Sequence, residues 1–417
     1  MSNPDIPTDV LSHILETAVG AEPSNLYTVR SVNREWLETA AMTPKLWSTI
    51  SLSRKIHFTD AEYLRLHLQN AGDLPLEIEI TLDEDLPNRN DSPILALLRE
   101  RVHKIKSLTL DMPSREAWQK FVTGIGEGQP APILERFVLR AKEQEEDANF
   151  YLSYTTLATA FTPSPNLTQL QLPAYPLPAQ PPPQLSTVTS LSLFTNFYEV
   201  DIKAIIPLIL ATPNLQDFNF RVGEYGEAAD PHYTNIISVP NLRKANVTYP
   251  GYGVNLLGNF RSPLLVDVRL DGYREYMPDS DYELEDWGDV AVEPSTRILN
   301  VLALHSPNIQ RFELNHIFLE HPHEDYIRIL SGQIFPALEE LILERTNLFD
   351  AALVQSAGLH PSLKKLELRR CKYISADGLR SFVQGGVGSN FLLIVKACPG
   401  IKKEDVSSIA QVEYRDA

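Results

Sequence analysis

Two hydrophobic periodicities divide the chain. In the first fifty residues Val10, Leu11, Ile14, Leu15 and Ala18 fall at i, i+1, i+4, i+5 and i+8, one stripe of a helix. Thr8 and Asp9 offer capping oxygens behind Pro7, and Gly20 ends the stripe. Ser24 or Asn25 caps a second short helix carrying Leu26, Val29 and Val32. A third runs from Asn33 through Trp36 to Met42 and stops at Pro44, and Leu46, Trp47, Ile50 and Leu52 form an apolar exit. Three helices this short bury too little surface to be stable alone, so something else must cover part of them.

Further along, the period changes. The string Pro-x-hydrophobic-x-x-hydrophobic-x-hydrophobic begins at Pro165, Pro213, Pro240, Pro263, Pro307, Pro336 and Pro361. Versions read without the proline occur at Leu108/Leu110, Phe137/Leu139 and Leu191/Leu193. The last apolar position of each unit falls at 110, 139, 172, 193, 220, 247, 270, 314, 343, 368 and 395. Most of these steps lie in or near the range of leucine-rich repeats, in which each unit is one strand, a turn and a helical or irregular return. The fold class expected is α/β: a small helical domain, then an irregular repeat solenoid with a curved parallel sheet on its concave face.

Alternation along a strand sends the leucines inward and the residues between them to the opposite face. That face carries Asp217, Asn219, Arg221, Asp267, Arg269, Arg311, Glu313, Glu340, Glu344, Lys365, Glu367 and Arg369, the candidate substrate-binding residues, with Gln169, Gln171, Lys244, Asn246 and Asn315 beside them. A polar, mixed-sign, extended face suits protein recognition; the plain alternative is a solvated sheet face without a ligand.

The chain's two cysteines, Cys371 and Cys398, fill the same slot of consecutive repeats, where a small polar group meets turn backbone, so both read as structural. Lys and Arg number 37 against 54 Asp and Glu, a net charge of −17, which argues against a general binder of nucleic acid or of anionic membranes. Nine of those acids lie between Asp271 and Glu293, in an acidic insertion over 271–297. No secretory signal and no membrane-length apolar run is read, and two cysteines cannot staple a chain of this length, so a cytoplasmic or nuclear setting is expected. His321-Pro-His323-Glu-Asp325 resembles a metal string but lacks its next histidine, and Pro173–Pro183 reads as a rigid extended loop. No hydrolase elbow, zinc-protease or dinucleotide motif occurs, so no enzyme and no cofactor is expected.

Ile6-Pro7-x-Asp9-Val10-Leu11-x-x-Ile14-Leu15, then Val29-x-x-Val32-Asn33-Arg34-x-Trp36, then Thr43-Pro44-x-Leu46-Trp47 resembles an F-box. Ile6 stands where that family has leucine, and Asn33 where it has a small residue or cysteine at a buried contact. With the repeats, the chain resembles F-box proteins with leucine-rich repeats. The resemblance implies the substrate receptor of a cullin–RING ubiquitin ligase, whose partners are a Skp-type adaptor, through it a cullin, and an unnamed protein target. Ile6, Pro7, Val10, Leu11, Ile14, Leu15, Val29, Val32, Trp36, Leu46 and Trp47 would be the adaptor-binding set. The domains implied are an F-box over 1–52, a connecting helix, strand and capping repeat over 53–104, and repeats over 105–417. The alternative is an interaction scaffold without ubiquitin transfer.

Overall fold

The computed structural model describes residues 6–21, 25–54, 58–82, 93–141, 159–173, 183–195, 199–200, 202–222, 227–228, 236–248, 254–272, 296–358, 360–386, 390–407, 409 and 411–415. The core of the expected acidic insertion and most of the proline-rich loop lie outside them. The chain forms two compact units, Met1–Val188 and Thr189–Ala417. This division falls inside the stretch expected to be one repeat array.

The first unit opens with three helices, α1 (Thr8–Ala21), α2 (Asn25–Arg30) and α3 (Arg34–Ala41), and a 3-10 turn over Pro44–Trp47. Asn33 fills no buried contact: it is exposed, and its side chain caps α3 by accepting the Trp36 N–H at 2.9 Å. The fully buried Trp47 donates its Nε1–H to the Ala40 carbonyl at 2.7 Å and ties the turn to α3. Strand β1 (Thr49–Arg54) follows at once, so the parallel sheet already begins within the expected F-box span. Then come α4 (Phe58–Ala71), β2 (Leu76–Leu82), α5 (Pro93–Arg101), β3 (Ile105–Met112), α6 (Arg115–Gly126), β4 (Arg136–Ala141) and β5 (Gln169–Pro173). These five strands pair in chain order, all parallel.

The second unit repeats the scheme. Its main strands are β6 (Ser190–Thr195), β8 (Asp217–Val222), β11 (Lys244–Thr248), β13 (Asp267–Asp271), β14 (Arg311–Asn315), β15 (Glu340–Glu344), β16 (Lys365–Arg369), β17 (Leu392–Lys396) and β18 (Val412–Arg415), also parallel and in chain order. Two small pairs accompany them, β7 (Glu199–Val200) with β9 (Glu227–Ala228), and β10 (Ile237–Ser238) with β12 (Phe260–Arg261). The returns hold α7 (Ile202–Leu210), α8 (Val254–Gly258), α9 (Thr296–His305), α10 (Pro322–Leu330), α11 (Asp350–Ser356), α12 (Ala376–Gln384) and α13 (Lys403–Val406). β18 ends the sheet with alternating half-buried and exposed residues, and an ion pair between Glu413 and Arg415 at 2.8 Å.

Register explains the apolar period. Phe220, Val247, Leu270, Leu314, Leu343, Leu368 and Val395 pair one to the next across the strands. Each is at most 1% exposed, so the last apolar position of these seven repeats is one continuous buried ladder. The proline turn has a second function. In the turns at Ala131, Ser164, Thr212, Val239, Ser262 and Phe335 the residue three on donates its N–H back to that carbonyl. Asn166, Asn241 and Asn308, just after the proline, donate to the proline carbonyl of the preceding turn (Pro132, Pro213 and Pro263) at 2.7, 3.0 and 2.8 Å. The asparagine thus locks repeat to repeat, and Pro132 shows that the Phe137/Leu139 unit has its proline after all.

Cys371 and Cys398 are buried and directed at strand carbonyls, Leu343 O at 3.5 Å and Leu368 O at 3.6 Å. The Cys398 thiol beside it, together with burial, pushes the Cys371 thiol well up. Between α11 and α12, Asp350 accepts the Ser375 N–H at 2.8 Å and the Ser375 hydroxyl at 2.6 Å. A Cβ on Gly378 would stand 2.1 Å from Asp350 Oδ1. Gly378→Ala should therefore destabilise the chain by about 2 kcal/mol or more. Gly20→Ala, in α1 with nothing within 4 Å of the added carbon, should stabilise it by about 0.5–1 kcal/mol. Urea melts of both variants check the opposite signs.

Candidate functional site

Each unit has one surface of interest. In the first, α1 shows two apolar stripes. Leu11 and Leu15 are fully buried, whereas Ile6, Val10 and Ile14 are 38%, 46% and 40% exposed. Spaced by four, Val10 and Ile14 share one side of the helix, and Ile6 lies just ahead of its first residue, Thr8. Pro7 and Val32 are exposed as well, and Trp36 is half-buried. The remaining members of the expected adaptor-binding set, Val29, Leu46 and Trp47, are buried with Leu11 and Leu15 in the unit's own core. These five therefore shape the module from inside and are not on the surface that a partner would meet. Leu37 and Met42 are exposed apolar residues that the sequence reading did not single out.

Behind this surface an aromatic cluster fixes the 3-10 turn. His67 on α4 lies edge-on to Trp47, ring centres 5.0 Å apart, and 4.3 Å from the Tyr63 ring. The Arg30 guanidinium lies 5.0 Å from the centre of the Trp47 ring and 5.6 Å from that of Tyr27. Burial, with the Arg30 charge adding to it, lowers the His67 pKa to about 4, against the bond of Nδ1 to the Trp47 carbonyl at 3.3 Å. His67 is thus neutral and donates to that carbonyl.

In the second unit the strand residues opposite the leucine ladder form three rows, and from β13 to β16 their charges are paired. Glu313, 3% exposed, accepts from Arg311 at 2.9 Å and Asn315 at 3.1 Å, with Arg269 and Arg369 at 3.7 and 3.8 Å. Glu367, 4% exposed, accepts from Arg369 at 2.7 Å and pairs with Lys365 at 3.0 Å. Lys365 also bonds Glu340 at 2.6 Å, Arg311 reaches Asp267 and Glu340 at 3.4 Å, and Arg369 reaches Glu344 at 3.6 Å. Asp271 pairs with Arg269 at 3.1 Å. Burial opposes the Glu367 charge, but the bonds from Arg369 and Lys365 outweigh it and hold its carboxyl below the usual carboxylate range. The other three candidates, Asp217, Asn219 and Arg221 on β8, are exposed.

From β13 to β16 this surface is a set of compensated charges. His321 and His323 open α10, with His321 3.8 Å from Glu320. Among the described residues no group of three or more His, Cys, Asp or Glu is placed to hold a metal. Also among them, no helix is long and apolar enough to cross a membrane.

No family model matches the chain, and no curated protein does. A crystal structure of a Bacteroides fragilis protein is similar over 81% of this chain and 78% of that one, at 11% identity and a TM-score of 0.34. A likeness that distant carries no argument about fold or function.

The His67 environment makes acid sensitivity testable. Its pKa when folded, about 4, lies below the unfolded value of 6.5, so the unfolded chain binds the extra proton between them. This contribution is complete above pH 6.5 and is lost as the pH falls to about 4. Its loss costs on the order of 3 kcal/mol. Chemical melts from pH 7 to pH 4 should show stability falling with pH in the wild type, and a shallower fall in His67→Gln.

Proposed function

We propose that the chain is a non-catalytic substrate receptor of a ubiquitin ligase. Its N-terminal helices act as an F-box that docks a Skp-type adaptor and, through it, a cullin; its leucine-rich repeats hold a protein target. The observation that carries the reading is the exposed pair Val10 and Ile14 on α1, with Ile6 just ahead of that helix and Val32 also exposed. Such side chains in water are stabilised by a partner's groove, each by about 1.5–3 kcal/mol when fully buried. The segment that bears them is the one whose motif resembles an F-box. The repeats supply a platform on which tethering alone raises the target's effective concentration near the ubiquitin-loaded enzyme. A receptor of this kind works in the cytoplasm or nucleus.

Leu11→Asp is a poor test, because Leu11 is fully buried and its loss disturbs the core. Val10→Asp combined with Ile14→Asp alters only the exposed stripe. Against a purified Skp-type adaptor, that variant should lose at least about tenfold in affinity, equivalent to about 1.4 kcal/mol, with an unchanged melting temperature. Undiminished binding would reject the site. An absence of adaptor binding by the wild type would reject the ligase role and leave a repeat scaffold.

A further inference from the structure

The sheet face of the second unit changes character along its length. From β13 to β16 the acids and bases bond one another, and Glu313 and Glu367 are almost wholly enclosed. A ligand entering there must break existing ion pairs. Across β6, β8 and β11 the situation is reversed. Ser192, Asn219 and Asn246 stand side by side in the middle row, paired in register. Among the described residues no hydrogen bond or ion pair engages their side chains, and Asn246 Oδ1 is sealed from solvent without a donor. In the next row Asp217 and Lys244 are neighbours in register, both exposed, and their side chains are likewise unengaged.

A carboxamide presents one acceptor and one donor side by side, the same pair that a peptide group presents. Asn219, exposed, therefore offers both to the main chain of an extended polypeptide, and Asn246, whose Oδ1 is sealed, offers its amide donor beside it. The charges beside them are Asp217 and Lys244 in one flanking row and Arg221 in the other. We propose that β6, β8 and β11 form the binding site for an extended protein segment, held through its main chain by Asn219 and Asn246. The site rests on the reading of the repeats as a protein-binding surface and is independent of the adaptor dock.

A phage-displayed library of random peptides, panned against the full chain, supplies the probe. Selected peptides, synthesised and titrated, should lose at least about tenfold in affinity for the Asn219→Ala/Asn246→Ala double variant. They should bind Arg380→Gln, a change on α12, as tightly as the wild type. Asn219→Asp/Asn246→Asp, which keeps the shape and removes the donors, gives the same loss if the alanine variant fails to fold. Methylating the contacted peptide nitrogen should reproduce it. The proposal is overturned if no peptide is selected, if both asparagine variants bind normally, or if binding depends on Glu340 or Glu344 instead. Because the adaptor plays no part in this assay, failure here leaves the ligase reading standing, and failure of adaptor docking leaves this one standing.

Discussion

In-register pairing of one strand per repeat is the constraint from which the architecture of each unit follows. Once Phe220, Val247, Leu270, Leu314, Leu343, Leu368 and Val395 share one buried row, the residues between them must share a row on the other side. Neighbouring strands lie about 4.8 Å apart, so long side chains on that side touch whether or not they attract. Like charges there would oppose folding, and opposite charges assist it. The alternation Arg269, Glu313 in one row and Asp267, Arg311, Glu340, Lys365 in another is how this stack meets that demand.

The same constraint separates scaffold from recognition. A side chain already bonded on several sides, as Glu313 and Glu367 are, fixes the shape of the sheet and has little left for a ligand. Shorter groups such as Asn219, in the strands before the paired charges of β13 to β16, keep their bonding capacity. In the first unit apolar groups divide in a comparable way: Leu11, Leu15 and Trp47 build the helical module, and Val10 and Ile14 remain outside it.

Much of this was legible in the sequence. The spacing of the leucines located the strands of the second unit, and the shared slot of Cys371 and Cys398 was read correctly because a period reports register directly. The orientation of α1 was not legible, since both of its stripes are apolar and hydrophobicity alone cannot say which faces inward. The burial of Glu313 and Glu367 was missed because a lone carboxylate favours water, and only pairing between strands distant in sequence reverses that preference. Pro132 escaped notice although Pro132-x-Leu134-x-x-Phe137-x-Leu139 keeps the spacing of the other turns. β1 did so because no proline turn announces it, whereas β2 is the strand expected in the connecting segment.

The last strand has a consequence of its own. Among the described residues β18 has no neighbour beyond it in the sheet, and an unpaired strand edge offers backbone donors and acceptors to any passing chain. It is only four residues long, and Glu413 and Arg415 put paired charge at that rim. Another strand adding there would have to displace the water around both ions, so the molecule discourages its own polymerisation at the place where stacking could otherwise continue without end.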